Sequence, residues 1–146
     1  MKILESLAGG FAGACILTII HESLRRVNPD APRMDILGMR AIAKLMEKAG
    51  ATPPDDKTLH DWAMVGDVVS NGLYYSFAGA GKSAWLRGTL LGALAGIGAI
   101  TLPGPLGLGE APSERTPQTK AMAVGLYLLG GVAAALAARA IVKATK

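Results

Sequence analysis

The stretch GTLLGALAGIGAITLPGPLGLG, residues 88 to 109, contains no charged side chain, and Gly88, Gly92 and Gly96 recur in it at intervals of four residues. This interval places the three glycines on one face of a helix. Helices in lipid gain little from apolar association, so small residues that let two backbones approach closely often form their contacts. We therefore predict a membrane-spanning helix that packs against another helix through these glycines.

The composition of the whole chain also favours a membrane protein. Apolar residues make up 51% and charged residues 18% of the 146 residues, whereas an ordinary soluble domain has about 25% charged residues. The net charge of +4 does not indicate nucleic-acid binding, because the Lys and Arg residues lie beside apolar segments and not along one aromatic-rich stripe. We expect the lipid bilayer as a partner and no nucleic acid.

Four stretches are long enough to cross a hydrocarbon core of about 30 Å, which takes roughly 17 to 25 helical residues. They comprise residues 3–23, 59–81, 85–102 and 121–142. The second stretch is the least apolar because it contains two aspartates and an asparagine. Helices are expected because isolated strands leave backbone groups unsatisfied in lipid. We predict an all-α integral membrane protein of one domain, residues 1–146, with four transmembrane helices.

A polar segment after the first span predicts a further, amphipathic helix over residues 35–49. Asp35 can cap its start, and a glycine and two prolines follow its end. Arg40, Lys44 and Lys48 lie on its polar face, which is typical of a helix in the membrane interface whose cations contact lipid headgroups. The alternative is a short helix packed on the end of the bundle.

The distribution of positive charge predicts an orientation. Four spans place both termini on one side of the membrane. The side of the first loop then carries nine Lys or Arg residues, and the side of the termini carries six. The positive-inside rule therefore favours a cytoplasmic first loop and termini on the outside.

Each of the two histidines precedes an acidic residue, near the end of the first span and at the start of the second. The chain direction places both pairs on the same side of the membrane. Asp67 lies about 10 Å deeper than His60 along the second span. A charge at the bilayer centre costs about 2.5 to 3.5 kcal/mol, so Asp67 is expected to face protein or water. The candidate proton or ion site comprises His21, Glu22, His60, Asp67 and Asn71.

These residues also have structural and metal-binding interpretations. Glu22 can pair with Arg25 or Arg26 at helical spacing, and Asp67 with Asn71 can join helices by hydrogen bonds of about 0.6 kcal/mol each. Two histidines with nearby carboxylates could ligate iron or zinc. However, Arg25 stands where the zinc-protease pattern needs its second histidine. We predict no catalytic residue, no metal and no cofactor.

The third span and the loop after it carry a pattern of small and apolar residues, comprising Trp85, Gly88, Leu91, Gly92, Ala93, Leu94, Ala95, Leu102-Pro103, Leu106-Gly107-Leu108 and Ala111-Pro112. With His60 about one span upstream, the pattern resembles the YagU-type family of small bacterial inner-membrane proteins. The resemblance covers the second and third spans. It implies a location in the bacterial inner membrane, in a family to which a role in acid tolerance is ascribed, and it transfers no catalytic residue.

These observations predict a small multi-pass membrane protein that acts as a structural or accessory membrane component. One alternative is a proton-linked or small-solute transport element that uses the His/Glu/Asp cluster, and another is a metal-binding membrane enzyme. A transport element is expected to keep a water-reachable cavity at Asp67, whereas a structural component buries this side chain against a partner group. Four thin helices leave little room for a substrate chamber, so transport is expected to require a homo-oligomer or a larger membrane complex.

Overall fold

A computed structural model describes residues 2–145, which form six helices and, over that range, no strand. The helices are α1 (Lys2–Val27), α2 (Met34–Lys48), α3 (Asp56–Ser76), α4 (Ala84–Thr101), α5 (Ala111–Glu114) and α6 (Pro117–Ala144). The predicted all-α class is confirmed for these residues.

Three of these helices, α1, α4 and α6, are long and apolar enough to cross a bilayer. Their 26, 18 and 28 residues extend about 39, 27 and 42 Å at 1.5 Å per residue, compared with a hydrocarbon core of about 30 Å. Helix α3 has 21 residues but is more polar than these three. Helices able to span a membrane are therefore confirmed for three of the four predicted stretches, and the fourth stays a prediction.

Helix α6 lies between α1 and α4, and α1 lies between α6 and α3. Glycines set the separation of α1 from α6. A Cβ atom on Gly9 would lie 2.5 Å from the Cβ of Ala138, and one on Gly13 would lie 2.6 Å from the Cβ of Ala134. The residue order in these contacts shows that α1 and α6 are antiparallel.

Helix α4 meets α6 through the face that carries Gly88, Gly92 and Gly96. A Cβ atom on Gly92 would lie 2.7 Å from the Cα of Leu128, and one on Gly96 would lie 2.7 Å from the Cα of Val124. Any side chain at these glycines would therefore force the two backbones apart. The contacts also show that α4 is antiparallel to α6, so α4 runs in the same direction as α1.

Because α1 and α4 run in the same direction, the chain between them has to return along the bundle, and α3 is the helix that does so. Near the start of α1, Gly10 lies beside Ser76 at the end of α3. Near the end of α1, Arg25 lies beside His60 at the start of α3. Helices α2 and α5 lie at the end of the bundle where α1 and α4 end, which we call the α2 end.

Helix α2 begins one residue before the predicted start, and the capping role predicted for Asp35 is wrong. The N-cap residue is Arg33, without a side-chain capping hydrogen bond. Asp35 lies in the first turn and binds the Arg33 guanidinium, which lies outside the helix and can fold back onto the carboxylate. Gly38 packs against Ala63 of α3. The helix therefore packs on the bundle, and its location in the membrane interface stays a prediction.

Candidate functional site

Asp67 lies in the middle of α3 and accepts two hydrogen bonds. Its Oδ2 accepts a bond of 2.8 Å from Thr18 Oγ1 of α1, and its Oδ1 accepts a bond of 2.8 Å from Asn71 Nδ2. Asn71 lies one turn further along the same helix, so its bond to Asp67 does not join two helices, as the sequence had suggested. Thr18 provides the connection between α1 and α3.

His21 lies one turn beyond Thr18 on the same side of α1 and is buried, with 6% of its surface exposed. Its ring packs edge-on against the ring of Tyr127, with 5.7 Å between the two centroids. Its Nε2 atom is buried and has no hydrogen-bond partner among residues 2–145. Leaving such a group without a partner costs about 1 to 3 kcal/mol, so this nitrogen is a candidate for binding a water molecule or a proton.

A small cavity of about 10 Å³ borders both Asp67 and His21. This volume is about what the centre of one water molecule requires. The cavity is formed by α1, α2, α3 and the segment before α2, and its other lining residues are Thr18, Glu22, Arg25, Pro32, Met34, Asp35 and Met64. Most of these side chains are polar, so the cavity has both the room and the partners to hold one water molecule.

Two ion pairs lie beside this cavity. Arg25 donates to both carboxylate oxygens of Glu22, at 2.7 and 2.6 Å, which confirms the pairing predicted from helical spacing. Arg33 donates to both oxygens of Asp35, at 2.9 and 2.7 Å. Paired donors of this kind are strong and geometrically specific. Each pair has no net charge, so the charges of Glu22 and Asp35 are compensated within the protein.

The pKa of Asp35 reflects two opposing effects. Burial of the carboxyl group works to raise the pKa, because burial disfavours the charged form. The hydrogen bonds and positive charge of Arg33, with a further contribution from Arg25, more than offset the burial. The pKa of Asp35 therefore lies below its ordinary value, and the carboxylate stays ionised at neutral pH.

Asp67 differs from these two acids because it forms no ion pair with any residue from 2 to 145. Its hydrogen-bond partners, Thr18 and Asn71, are both neutral. A partly buried carboxylate without a cationic partner is costly, and a bound proton or a bound cation removes that cost. Of the three acids that line the small cavity, Asp67 is thus the one whose charge the protein leaves uncompensated.

His60 lies on the outer side of the cluster and not in it. Its Nε2 is 3.5 Å from Arg25 Nη2, and 30% of its side chain is exposed. Of the five residues predicted to form the candidate site, the structure gathers His21, Glu22, Asp67 and Asn71 around the same region and leaves His60 beside the Glu22–Arg25 pair.

The sequence interpretation missed Thr18, Arg33 and Asp35 as members of this cluster. A signal for Thr18 was present, because it is a hydroxyl residue within the aliphatic run of residues 16–20 and lies three positions before His21. No comparable signal pointed to Arg33 and Asp35. Their place in the site depends on how α2 packs against α1 and α3.

A second, larger cavity of about 320 Å³ borders Asp67 on a different side. It lies between α2, α3 and the loop that follows α4. Its walls are mostly apolar, and its lining residues are Met34, Leu37, Gly38, Ala41, Ile42, Ala63, Gly66, Asp67, Ser70, Gly98, Leu102, Pro103, Leu106, Leu108 and Tyr127. Asp67 is the only carboxylate among these lining residues, and it is shared with the small cavity.

Two cations of α2 hold the loop that lines the larger cavity. Arg40 Nη1 donates to the carbonyl oxygen of Leu108 at 2.6 Å, and Lys44 Nζ donates to that of Leu106 at 2.5 Å. Lys48 is exposed at the end of the helix. Arg40 and Lys44 thus have partners within the chain, and headgroup binding by all three cations stays a prediction.

Among residues 2–145, no three His, Cys, Asp or Glu side chains come close enough together to hold a metal ion. The metal-binding alternative therefore lacks a set of ligands in this part of the chain.

Comparison with known proteins gave no match to a protein-family model, a curated protein or a solved structure. The resemblance to the YagU-type family therefore stays a prediction. A function can be inferred only from the geometry around Asp67.

Proposed function

We propose that this chain is a four-helix membrane protein and a proton-linked transport element, in which Asp67 and His21 bind and release protons. One observation carries this proposal. Asp67, a carboxylate with no cationic partner among residues 2–145, separates an open cavity of about 320 Å³ from a water-sized cavity that it shares with His21. A water-reachable cavity at Asp67 is the feature by which a transport element differs from a purely structural component.

The direction of the helices supports α3 as the fourth span. Helices α1 and α4 are apolar enough to cross the membrane and run in the same direction, and α3 returns along the bundle between them, which supports a fourth crossing. Its 21 residues extend about 32 Å, enough for the hydrocarbon core. Val65, Val69 and Leu73 are exposed on its outer surface, where lipid would cover them. The bacterial inner membrane, implied by the resemblance, is part of this proposal.

The chemistry of the site follows from its charge. Ionised Asp67 carries a negative charge that Thr18 and Asn71 stabilise but do not neutralise, and a proton taken up from the open cavity removes that charge. The small cavity has room for one water molecule, which would connect the carboxyl group with the region of His21 Nε2. A ring nitrogen of neutral imidazole accepts a proton or a hydrogen bond. Both cavities lie towards the α2 end of the bundle, so the two residues form the part of a proton path that lies at this end.

A structural or accessory role is the second candidate, and the helix contacts favour it. Glycine and alanine bring α6 into close contact with both α1 and α4. Asp67 also has two good hydrogen bonds, so it could serve only to hold α1 against α3. In that case the carboxylate stays in one protonation state and no proton crosses the membrane.

Proton flux in proteoliposomes separates the two roles. We expect vesicles with the wild-type protein to dissipate an imposed pH gradient faster than empty vesicles. Asp67→Asn is expected to reduce this rate to that of empty vesicles. The matched control is Asp61→Asn, the same change at an exposed residue of the same helix, and it is expected to leave the rate unchanged. Equal rates for Asp67→Asn and the wild type, or no flux above empty vesicles, would overturn the proposal.

A further inference from the structure

We propose that the larger cavity beside Asp67 binds an organic monocation, a small ammonium compound with an apolar body, in exchange for the proton of Asp67. This inference rests on the proposed function and names the class of solute that the proton flux would drive. Binding is non-covalent. The ammonium group pairs with the carboxylate, and the proton leaves to water.

The size and lining of the cavity determine the body of the ligand. A volume of about 320 Å³ falls at the lower end of the range of about 300 to 1,000 Å³ for small-molecule sites. Leucine, isoleucine, methionine and alanine side chains of α2 and of the loop after α4 form most of the wall. Such a wall favours an apolar group, because burial of apolar surface is the main source of binding energy here. The ligand is therefore expected to be small and largely hydrocarbon.

The charges around Asp67 determine the polar end of the ligand. Three elements contribute the charged or polar groups that face Asp67. Helix α1 contributes His21, Glu22 and Arg25. The other groups are Asp35 of α2, Arg33 just before it, and Tyr127 of α6. The positive and negative charges within each of the two ion pairs cancel. Gly98 of α4 and Leu102, which follows α4, are uncharged. Arg40 and Lys44 bind loop carbonyls and do not line either cavity. Among the lining residues and their ion-pair partners, one negative charge therefore remains when Asp67 is ionised. A single positive charge balances it, whereas a neutral solute leaves it uncompensated.

The same charge explains the coupling. A proton and an ammonium group compete for one carboxylate, so the site holds one or the other. Thr18 and Asn71 keep the carboxylate in place without neutralising it, which allows either partner to bind. A lipid acyl chain could enter the apolar part of the cavity, but it offers no positive charge to Asp67. Occupation by an acyl chain is accordingly an outcome that the experiment has to distinguish.

The probe is 2-phenylethylamine, compared with 2-phenylethanol, which has the same apolar body but no charge. Equilibrium dialysis against the purified full chain in lipid nanodiscs measures binding of each compound. We expect saturable binding of the amine, at least about tenfold tighter than that of the alcohol, with proton release in weakly buffered solution. Asp67→Asn is expected to abolish both. Equal binding of amine and alcohol, or no saturable binding of the amine because a lipid acyl chain occupies the cavity, would overturn the inference.

A cavity-filling variant tests the location and keeps Asp67 intact. Gly66 lines the cavity, and a Cβ atom there would meet no atom of another element within 4 Å, so Gly66→Leu adds a side chain at the cavity wall whose first atom has room. It is expected to lose amine binding although Asp67 is unchanged. Gly125→Leu, at an equally open glycine of α6, is the matched control and is expected to bind as the wild type does. Wild-type binding by Gly66→Leu would overturn the location.

The two proposals fail in different ways. Asp67-dependent proton flux without amine binding overturns the solute class and leaves the proton site standing. Proton flux that does not depend on Asp67 overturns the proposed function itself, and with it the exchange of a proton for a cation.

Discussion

Thr18 of α1 donates a hydrogen bond of 2.8 Å to the carboxylate of Asp67 in α3, across 49 positions of the chain. The bond joins two helices at a partly buried carboxylate that has no cationic partner in the described part of the chain. A hydroxyl group is suited to this position because it holds the carboxylate without cancelling its charge. An arginine or lysine there would fix the charge and exclude both the proton and any other cation.

We expect Thr18→Val to destabilise the protein by about 1 kcal/mol, because Val has a similar shape but cannot donate to Asp67. Unfolding by sodium dodecyl sulfate, followed by circular dichroism, measures the effect. Thr18→Ser retains a hydroxyl group and is expected to recover most of the loss. Equal stability of Thr18→Val and the wild type would show that this bond does not hold α1 against α3.

Two glycines of α6 provide a matched test of the helix contacts. A Cβ atom on Gly131 would collide with the carbonyl oxygen of Gly88, whereas one on Gly125 would meet no other atom. Gly131→Ala is expected to cost about 1 to 3 kcal/mol through overpacking. Gly125→Ala is expected to be neutral or to stabilise by up to about 1 kcal/mol, because Ala is the better helix former. The same unfolding experiment measures both, and equal effects would contradict a close α4–α6 contact.

The Arg33–Asp35 pair makes the docking of α2 sensitive to acid. The pKa of Asp35 in the folded protein is depressed, so the pair stabilises the structure above the unfolded value of about 3.9. This stabilisation is lost as the pH falls through the lower, folded-state pKa. Hydrogen exchange of the α2 amides, corrected for intrinsic rates, is expected to show constant protection from about pH 7 to about pH 5 and reduced protection below about pH 4.

Substitution of the acid provides the control for this pH dependence. Asp35→Asn is expected to lower the protection of α2 at neutral pH and to remove most of its change in acid. Asp61→Asn removes an exposed pair with Lys57 and is expected to leave the change in acid as in the wild type. An unaltered change in Asp35→Asn would assign the acid sensitivity to another group.

The membrane topology depends on whether α3 crosses the bilayer. With four spans, epitope tags placed before residue 1 and after residue 146 are expected to lie on the same side, and the positive-inside rule places them outside. Protease digestion of intact and permeabilised cells reports the side of each tag. Tags on opposite sides would show that α3 does not cross, and an active cytoplasmic reporter after residue 146 would reverse the orientation.

The sequence predicted those features that depend on local spacing. The helical spacing of apolar residues predicted the start and the end of α2 to within one residue. The length of the apolar stretches predicted α1, α4 and α6. The Glu22–Arg25 pair follows from residues three apart on one helix. Such relationships are set within a single element, so the order of the residues is enough to predict them.

The remaining features depend on how separate helices pack. Spacing along the chain does not indicate that α6 lies between α1 and α4, or that Thr18 meets Asp67. Asp35 has two competing partners, the helix N-terminus and the Arg33 guanidinium, and only their geometry decides between them. Arg40 likewise binds a loop carbonyl 68 positions away, where the sequence alone suggested a lipid headgroup.

Infrared difference spectroscopy tests the central claim, that Asp67 binds and releases a proton, most directly, because a protonated carboxyl group has a carbonyl band that the carboxylate lacks. Exposed carboxyl groups are already ionised above about pH 5. When the pH is raised from this value, we expect the wild type and Asp61→Asn to lose one such band and Asp67→Asn to lose none. The same band change in Asp67→Asn, or no change in the wild type, would contradict the account.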